Sequence, residues 1–156
     1  MASFYLDTSA YAKRYRRELG SVWVRRLCRV ELVAVSMLAI AEFGSVTARL
    51  AREGAITSAQ QNSMLRSFQT DVDQSNLVEV DRAVLERSSE LLLTAPPSIA
   101  LRSLDAIHLA SAERALAAVP AAQRRRARPS FVASVLRLLA TAQWLGLATD
   151  NPENHP

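Results

Sequence analysis

Three acidic residues stand where hydration alone does not account for them. Asp7 directly follows the apolar run Phe4-Tyr5-Leu6 and precedes Thr8 and Ser9. Glu42 lies inside Met37-Leu38-Ala39-Ile40-Ala41-Glu42-Phe43, where a carboxylate that loses water needs a cation, a donor network or a proton. Asp105 stands in Leu104-Asp105-Ala106-Ile107-His108-Leu109-Ala110, near the start of an alanine-rich helical segment. Each acid also has an ordinary reading: Asp7 as a helix cap, Glu42 as the edge of an apolar helix face, Asp105 as an anion favoured by a helix N-terminus. Taken together they offer hard oxygen ligands from three separate elements, with no histidine or cysteine cluster to suggest zinc. Such a set suits Mg2+ or Mn2+. Without a cation, like charges so close repel, and the set is poorly stable when empty. His108, one turn beyond Asp105 on the same helix face, reads as a packed, hydrogen-bonded histidine with no catalytic role.

The elements that must position these acids follow from periodicity. Short apolar runs at 3–6, 32–35, 77–80 and 131–133 read as strands, separated by helical patterns over 9–17, 21–29, 37–53, 58–71, 82–94, 104–118 and 136–145. Strands this short and apolar on both faces belong to a covered parallel sheet, so the expected class is α/β: a three-layer α/β/α sandwich with a central, mainly parallel sheet. Asp7 then falls at the carboxyl end of the first strand, where open α/β sheets bind ligands. Ser36 is placed to cap the helix beginning at Met37, while Gly54 and Gly146 are placed to end helices in the left-handed conformation. Pro96 and Pro97 break one helical pattern, and Pro129 stands before the fourth strand. The arginine-rich stretch from Pro120 to Pro129 reads as a loop or helix extension. With no internal repeat and no dividing linker, residues 1–156 are expected to form a single domain.

Composition bounds the rest. A chain of 156 residues with 49% hydrophobic and 22% charged residues buries a core without disulfides or structural metal. Cys28 is the sole cysteine, so no internal disulfide forms, and a reducing cytoplasm is the expected compartment. No uncharged apolar run approaches the roughly 20 residues that span a bilayer, and no export signal is evident. The formal charge is +4, with Lys13 the only lysine. Arginine's planar fork suits RNA phosphates or an acidic protein, although an arginine-rich surface can equally be mere solvation.

The run Phe4-Tyr5-Leu6-Asp7-Thr8-Ser9-Ala10, the segment from Ser36 to Glu42, the run 104–110, and the closing Phe131-Val132 with Arg137-Leu138-Leu139 and Gly146-Leu147 stand in an order and spacing that resemble PIN domain ribonucleases, in particular the VapC-type toxins of toxin-antitoxin pairs. The resemblance covers essentially the whole chain. It implies a parallel sheet with acids gathered at one end and cleavage of RNA phosphodiesters, with bound cations activating water. It carries over Asp7, Glu42 and Asp105 as catalytic metal ligands, and Ser9 as a supporting hydroxyl whose other reading is a helix cap. It also implies a small antitoxin partner and a homodimer, for which helices bearing Trp23, Leu27, Met64 and Phe68 offer contact area.

One position departs from the family pattern: where a further aspartate usually follows the Phe-Val strand, this chain has Val135. Asp150 and Glu113 are the candidates to stand in for it, the former otherwise a turn residue and the latter a solvated helix position. The competing reading is therefore a catalytically weakened or inactive module that keeps the fold and binds RNA or protein. A phosphotransferase using the strand-end aspartate would want an acid where Ser9 stands, and the phosphoacceptor domains it would otherwise resemble need a lysine beside the acids, for which Lys13 lies too near the N-terminus.

Overall fold

The computed structural model of the protein describes residues 2–124 and 128–155. Strands β1 (Phe4–Leu6), β2 (Val33–Ser36), β3 (Asn76–Val78), β4 (Ser130–Val132) and β5 (Ala148–Asp150) form one all-parallel sheet in the order β3-β2-β1-β4-β5. Helices α1 (Thr8–Tyr11), α2 (Ser21–Val30), α3 (Leu38–Arg52), α4 (Ser58–Asp73), α5 (Arg82–Thr94), α6 (Ser103–Ala117), α7 (Ala121–Arg124) and α8 (Leu136–Trp144) complete it. Expected and observed helix ends agree to within about a turn, with two differences. The pattern over 9–17 divides into α1 and a short 3-10 helix, Ala12–Tyr15. The stretch after Pro120 forms α7, while residues 125–127 lie outside the described residues.

The strand period of two sorts the core into two layers. Tyr5, Ala34, Val78 and Phe131 point to one side, where they pack with Val84 and Leu91 of α5, Leu109 and Leu116 of α6, and Leu138 and Leu139 of α8. Leu6, Val33, Val35 and Val132 point to the other, against Tyr11, Val24, Leu27, Phe43, Phe68 and Val72. The expected three-layer sandwich is thus formed by alternation within strands of three or four residues. Ser36 Oγ accepts from the Leu38 amide at 3.2 Å, and Gly54 and Gly146 hold φ of 69° and 78°. Gly54 and Gly146 were expected as helix ends, whereas α3 begins at Leu38 with Met37 in the capping position, so Ser36 stands one residue before the cap instead of at it.

Strand β5 lacked a sequence signal: Ala148-Thr149-Asp150 has one apolar residue, is half-buried throughout, and pairs only with β4 at the sheet edge. The proposed dimer-contact residues are also engaged elsewhere. Leu27 and Phe68 are buried in the core, Met64 packs against it, and Trp23 stacks on His155 at 4.4 Å.

The C-terminal segment is fastened across the front of α2. Buried Lys13 donates to the Leu19 carbonyl at 3.1 Å and to Glu153 at 3.0 Å. Gly20, at φ 81°, lies so near this segment that an added Cβ would stand 2.4 Å from the Pro152 carbonyl oxygen. Both the left-handed backbone and the clash with main chain disfavour a side chain, so Gly20→Ala should lower stability by about 2 kcal/mol or more. Urea denaturation of the variant beside the wild type measures the loss, and an unchanged midpoint would contradict this packing.

Candidate active site

The strand order reverses at β1: the chain first builds outward through β2 and β3, then returns to place β4 and β5 on the other side. A crevice at the carboxyl ends of β1 and β4 is the topological consequence, because the connections leaving these strands run to opposite sides. A cavity of about 340 Å3 lies there, and Asp7, Glu42 and Asp105 all line it, with His108, Val135 and Arg137. The three acids expected from the sequence are therefore brought together from the end of β1, from α3 and from the first turn of α6.

Asp7 is 4% exposed. Its Oδ1 accepts from the Ala10 amide at 2.9 Å, capping α1, and both carboxylate oxygens accept from the Ser9 hydroxyl at 2.8 and 2.9 Å. Ser9 Oγ in turn accepts from the Ser134 amide at 3.0 Å, tying the segment after β4 to that after β1. Asp7 thus caps α1 while lining the cavity, and Ser9 donates to it directly. Burial pushes the Asp7 carboxyl above its ordinary range, with His108, the Ala10 amide and Ser9 offsetting part of the effect.

Glu42 is half-buried and held by two donors. Its Oε2 accepts from Thr8 Oγ1 and lies 2.7 Å from His108 Nε2. On the far side of the ring, Nδ1 lies 2.8 Å from the Tyr5 hydroxyl. Burial raises the Tyr5 pKa well above its ordinary value, so the phenol keeps its proton, and the imidazole bridges Tyr5 to Glu42. Burial also opposes ionisation of Glu42, but the hydrogen bond and charge of His108 and the Thr8 hydroxyl outweigh it and lower the pKa. His108 is thus packed and hydrogen-bonded as its sequence context indicated, yet its partner is a member of the acidic set. The one available signal was its three-residue spacing from Asp105.

Asp105 occupies the first turn of α6, and its Oδ2 is 2.7 Å from Arg137 Nη2. Apart from this ion pair, the buried Oδ2 has no hydrogen-bond partner. Neither expected substitute for a fourth acid reaches the cavity. Glu113 is paired with Arg87 at 2.7 Å, and Asp150 with His155 at 2.8 Å. Val135, 40% exposed, lines the cavity.

Among the described residues, no group of three or more His, Cys, Asp or Glu side chains is clustered closely enough to hold a metal ion as they stand. The carboxylates are instead directed toward Ser9, His108 and Arg137. Their chemistry nonetheless fits a hard divalent cation: Asp7, Glu42 and Asp105, with Glu18 as a further acid, line one cavity.

The PIN domain family pattern matches residues 4–119, and the chain belongs to that family. Among solved structures, FitAcB from Neisseria gonorrhoeae is similar with a TM-score of 0.66 at 16% identity, over 98% of this chain and 99% of that one. VapBC2 from Rickettsia felis, bound to a DNA fragment from its promoter, gives 0.63 at 12% identity over 95% and 98%. VapC20 from Mycobacterium tuberculosis, a Sarcin-Ricin loop cleaving toxin, gives 0.60 at 14% identity over 93% and 96%. At such identities the likeness is one of fold. No curated protein sequence matches the chain. Among the described residues, no helix is long and apolar enough to cross a membrane.

Proposed function

We propose that the protein is a divalent-cation-dependent endoribonuclease, the toxin of a toxin-antitoxin pair, in which Asp7, Glu42 and Asp105 hold the cation. The observation that carries this reading is the convergence of three carboxylates on one cavity at the point where the strand order reverses. Bound Mg2+ or Mn2+ supplies activation of water and neutralises charge on the phosphate. The chain's own side chains do the positioning: Ser9 and the Ala10 amide fix Asp7, while Thr8 and His108 fix Glu42. Arg16 and Arg49 on the cavity wall offer the RNA backbone phosphate contacts that set its register without reading its bases.

Fold relatives among VapBC and FitAcB proteins support a small antitoxin protein as partner, and the family resemblance supports a homodimer acting in the cytoplasm. The cleaving activity named for the M. tuberculosis relative supports hydrolysis as the reaction. The test is RNA cleavage by the purified chain in Mg2+ or Mn2+ against excess chelator. Cation-dependent cleavage is expected, and full activity in chelator would refute the reading.

The second reading, a non-catalytic RNA-binding or protein-interaction module, is favoured by Val135 and by the Asp105–Arg137 ion pair. Val135→Asp separates the two. Because Val135 is substantially exposed on the cavity wall, a carboxylate there escapes the full cost of burial and adds an oxygen ligand. Mn2+ should raise the melting temperature of Val135→Asp by more than it raises that of the wild type, and cleavage should increase. A variant that is destabilised and gains nothing from Mn2+ would show that position 135 contributes no ligand.

A further inference from the structure

Arg137 is the second residue of α8 and lines the acidic cavity two positions beyond Val135. Its Nη2 lies 2.7 Å from Asp105 Oδ2, while its Nη1 donates to the Ala100 carbonyl at 2.5 Å. The second contact anchors the guanidinium to the loop before α6, so its position does not depend on Asp105 alone. The side chain remains 34% exposed and lines the cavity. Of the three arginines in the lining, Arg16, Arg49 and Arg137, only Arg137 is paired with one of the three proposed ligands. Glu18, the fourth acid of the lining, lies 3.9 Å from Lys13; a second divalent cation would meet Val135 where the family resemblance has an acid, and would be repelled by Arg137.

We propose that Arg137 takes the place of a second cation: the site binds one divalent ion, and the Arg137 guanidinium supplies the other positive charge to the RNA phosphate. This rests on the reading of the cavity as a cation-dependent nuclease site and specifies how it is completed. A guanidinium is suited to the role because it stays charged and forks onto two phosphate oxygens. In the free protein the same group holds Asp105, so cation binding and phosphate binding are coupled: a cation that draws Asp105 away frees the fork for substrate.

The experiment is calorimetric titration of Mn2+ into wild type, Arg137→Gln and Arg137→Lys, with binding of a non-hydrolysable single-stranded oligoribonucleotide measured in parallel. The wild type should take one Mn2+ per chain. Arg137→Gln should bind Mn2+ about three- to tenfold more tightly, because a nearby positive charge is gone and Asp105 is released. The same variant should bind the oligonucleotide about tenfold more weakly. Arg137→Lys, which retains charge but loses the fork, should keep the wild-type Mn2+ affinity and recover only part of the oligonucleotide binding. Thermal melts establish that each variant is folded before titration, and the lysine variant provides the test should glutamine unfold the chain. Two Mn2+ ions per wild-type chain, or oligonucleotide binding indifferent to position 137, would overturn this inference and leave the cation-dependent reading standing. No Mn2+ binding by any of the three would overturn both.

Discussion

Asp7→Asn should reduce RNA cleavage by about two to three orders of magnitude, the effect of removing one preorganised charge-stabilising group, while leaving the fold intact. Asparagine retains an oxygen at the position that caps α1 and accepts from Ser9, so the local geometry has the same acceptor available. It loses the negative charge that attracts a hard cation. Electrostatics give the stability change a definite sign. Burial raises the Asp7 pKa in the folded chain, so without a cation the folded state binds the proton more tightly than the unfolded state does. The contribution of this group to stability is therefore present below the unfolded carboxylate pKa and is lost as pH rises through the raised folded value. At neutral pH, ionised Asp7 is a cost that asparagine removes. In chelator the variant should melt no lower than the wild type, and its advantage should shrink as pH is lowered through that range. Added Mn2+ should reverse the order by stabilising only the wild type. A variant that cleaves as well as the wild type would exclude Asp7 from the chemistry.

His108→Ala should both destabilise the fold and impair cleavage. The substitution leaves the buried Tyr5 hydroxyl and Glu42 Oε2 without their shared partner and opens a cavity beside β1, which together should cost about 2–4 kcal/mol. Its effect on Glu42 has a separate signature. Burial favours the protonated form of Glu42, and His108 is the main influence opposing it, so removing the ring should raise the carboxyl pKa. With its pKa lowered in the folded wild type, Glu42 contributes stability above the unfolded pKa and loses it as pH falls through the folded one. That contribution should diminish in the variant, and cation-dependent cleavage should move to higher pH as well as fall by about 10- to 100-fold, the range expected for loss of a residue that orients a ligand. His108→Gln keeps a donor for Glu42 but cannot bridge both partners, so it should recover part of the cleavage. Cleavage whose pH profile is unchanged in His108→Ala would confine the histidine to packing.

Much of this architecture is legible in local sequence because its signals are local. Four strands show as short apolar runs, and seven helical segments show as periodic patterns bounded by residues such as Ser36 and Gly54. Asp7 and Asp105 were legible as acids at helix starts, and the structure makes them so while also turning them to a common cavity. What escaped is either weak in pattern or long in range. Strand β5 has too little hydrophobicity to stand apart from a turn. The histidine that holds Glu42 comes from 66 residues away, and the hydroxyl that orients it from 103 residues away. Periodicity gives the face of α6 on which His108 lies, but not what the sheet presents to that face. The same limit applies to Glu113 and Asp150, whose partners Arg87 and His155 draw them to other surfaces. The pairing of Arg137 with Asp105 likewise emerges only once α6 and α8 are packed on the same side of the sheet.

Locating bound Mn2+ by its anomalous scattering in crystals of the wild-type chain tests most directly whether these three carboxylates form a cation site. The account predicts a peak in the cavity at the ends of β1 and β4, coordinated by Asp7, Glu42 and Asp105 and absent from Asp7→Asn crystals prepared in the same way. A cavity without Mn2+ at saturating concentration, or a peak whose ligands exclude these carboxylates, would contradict it.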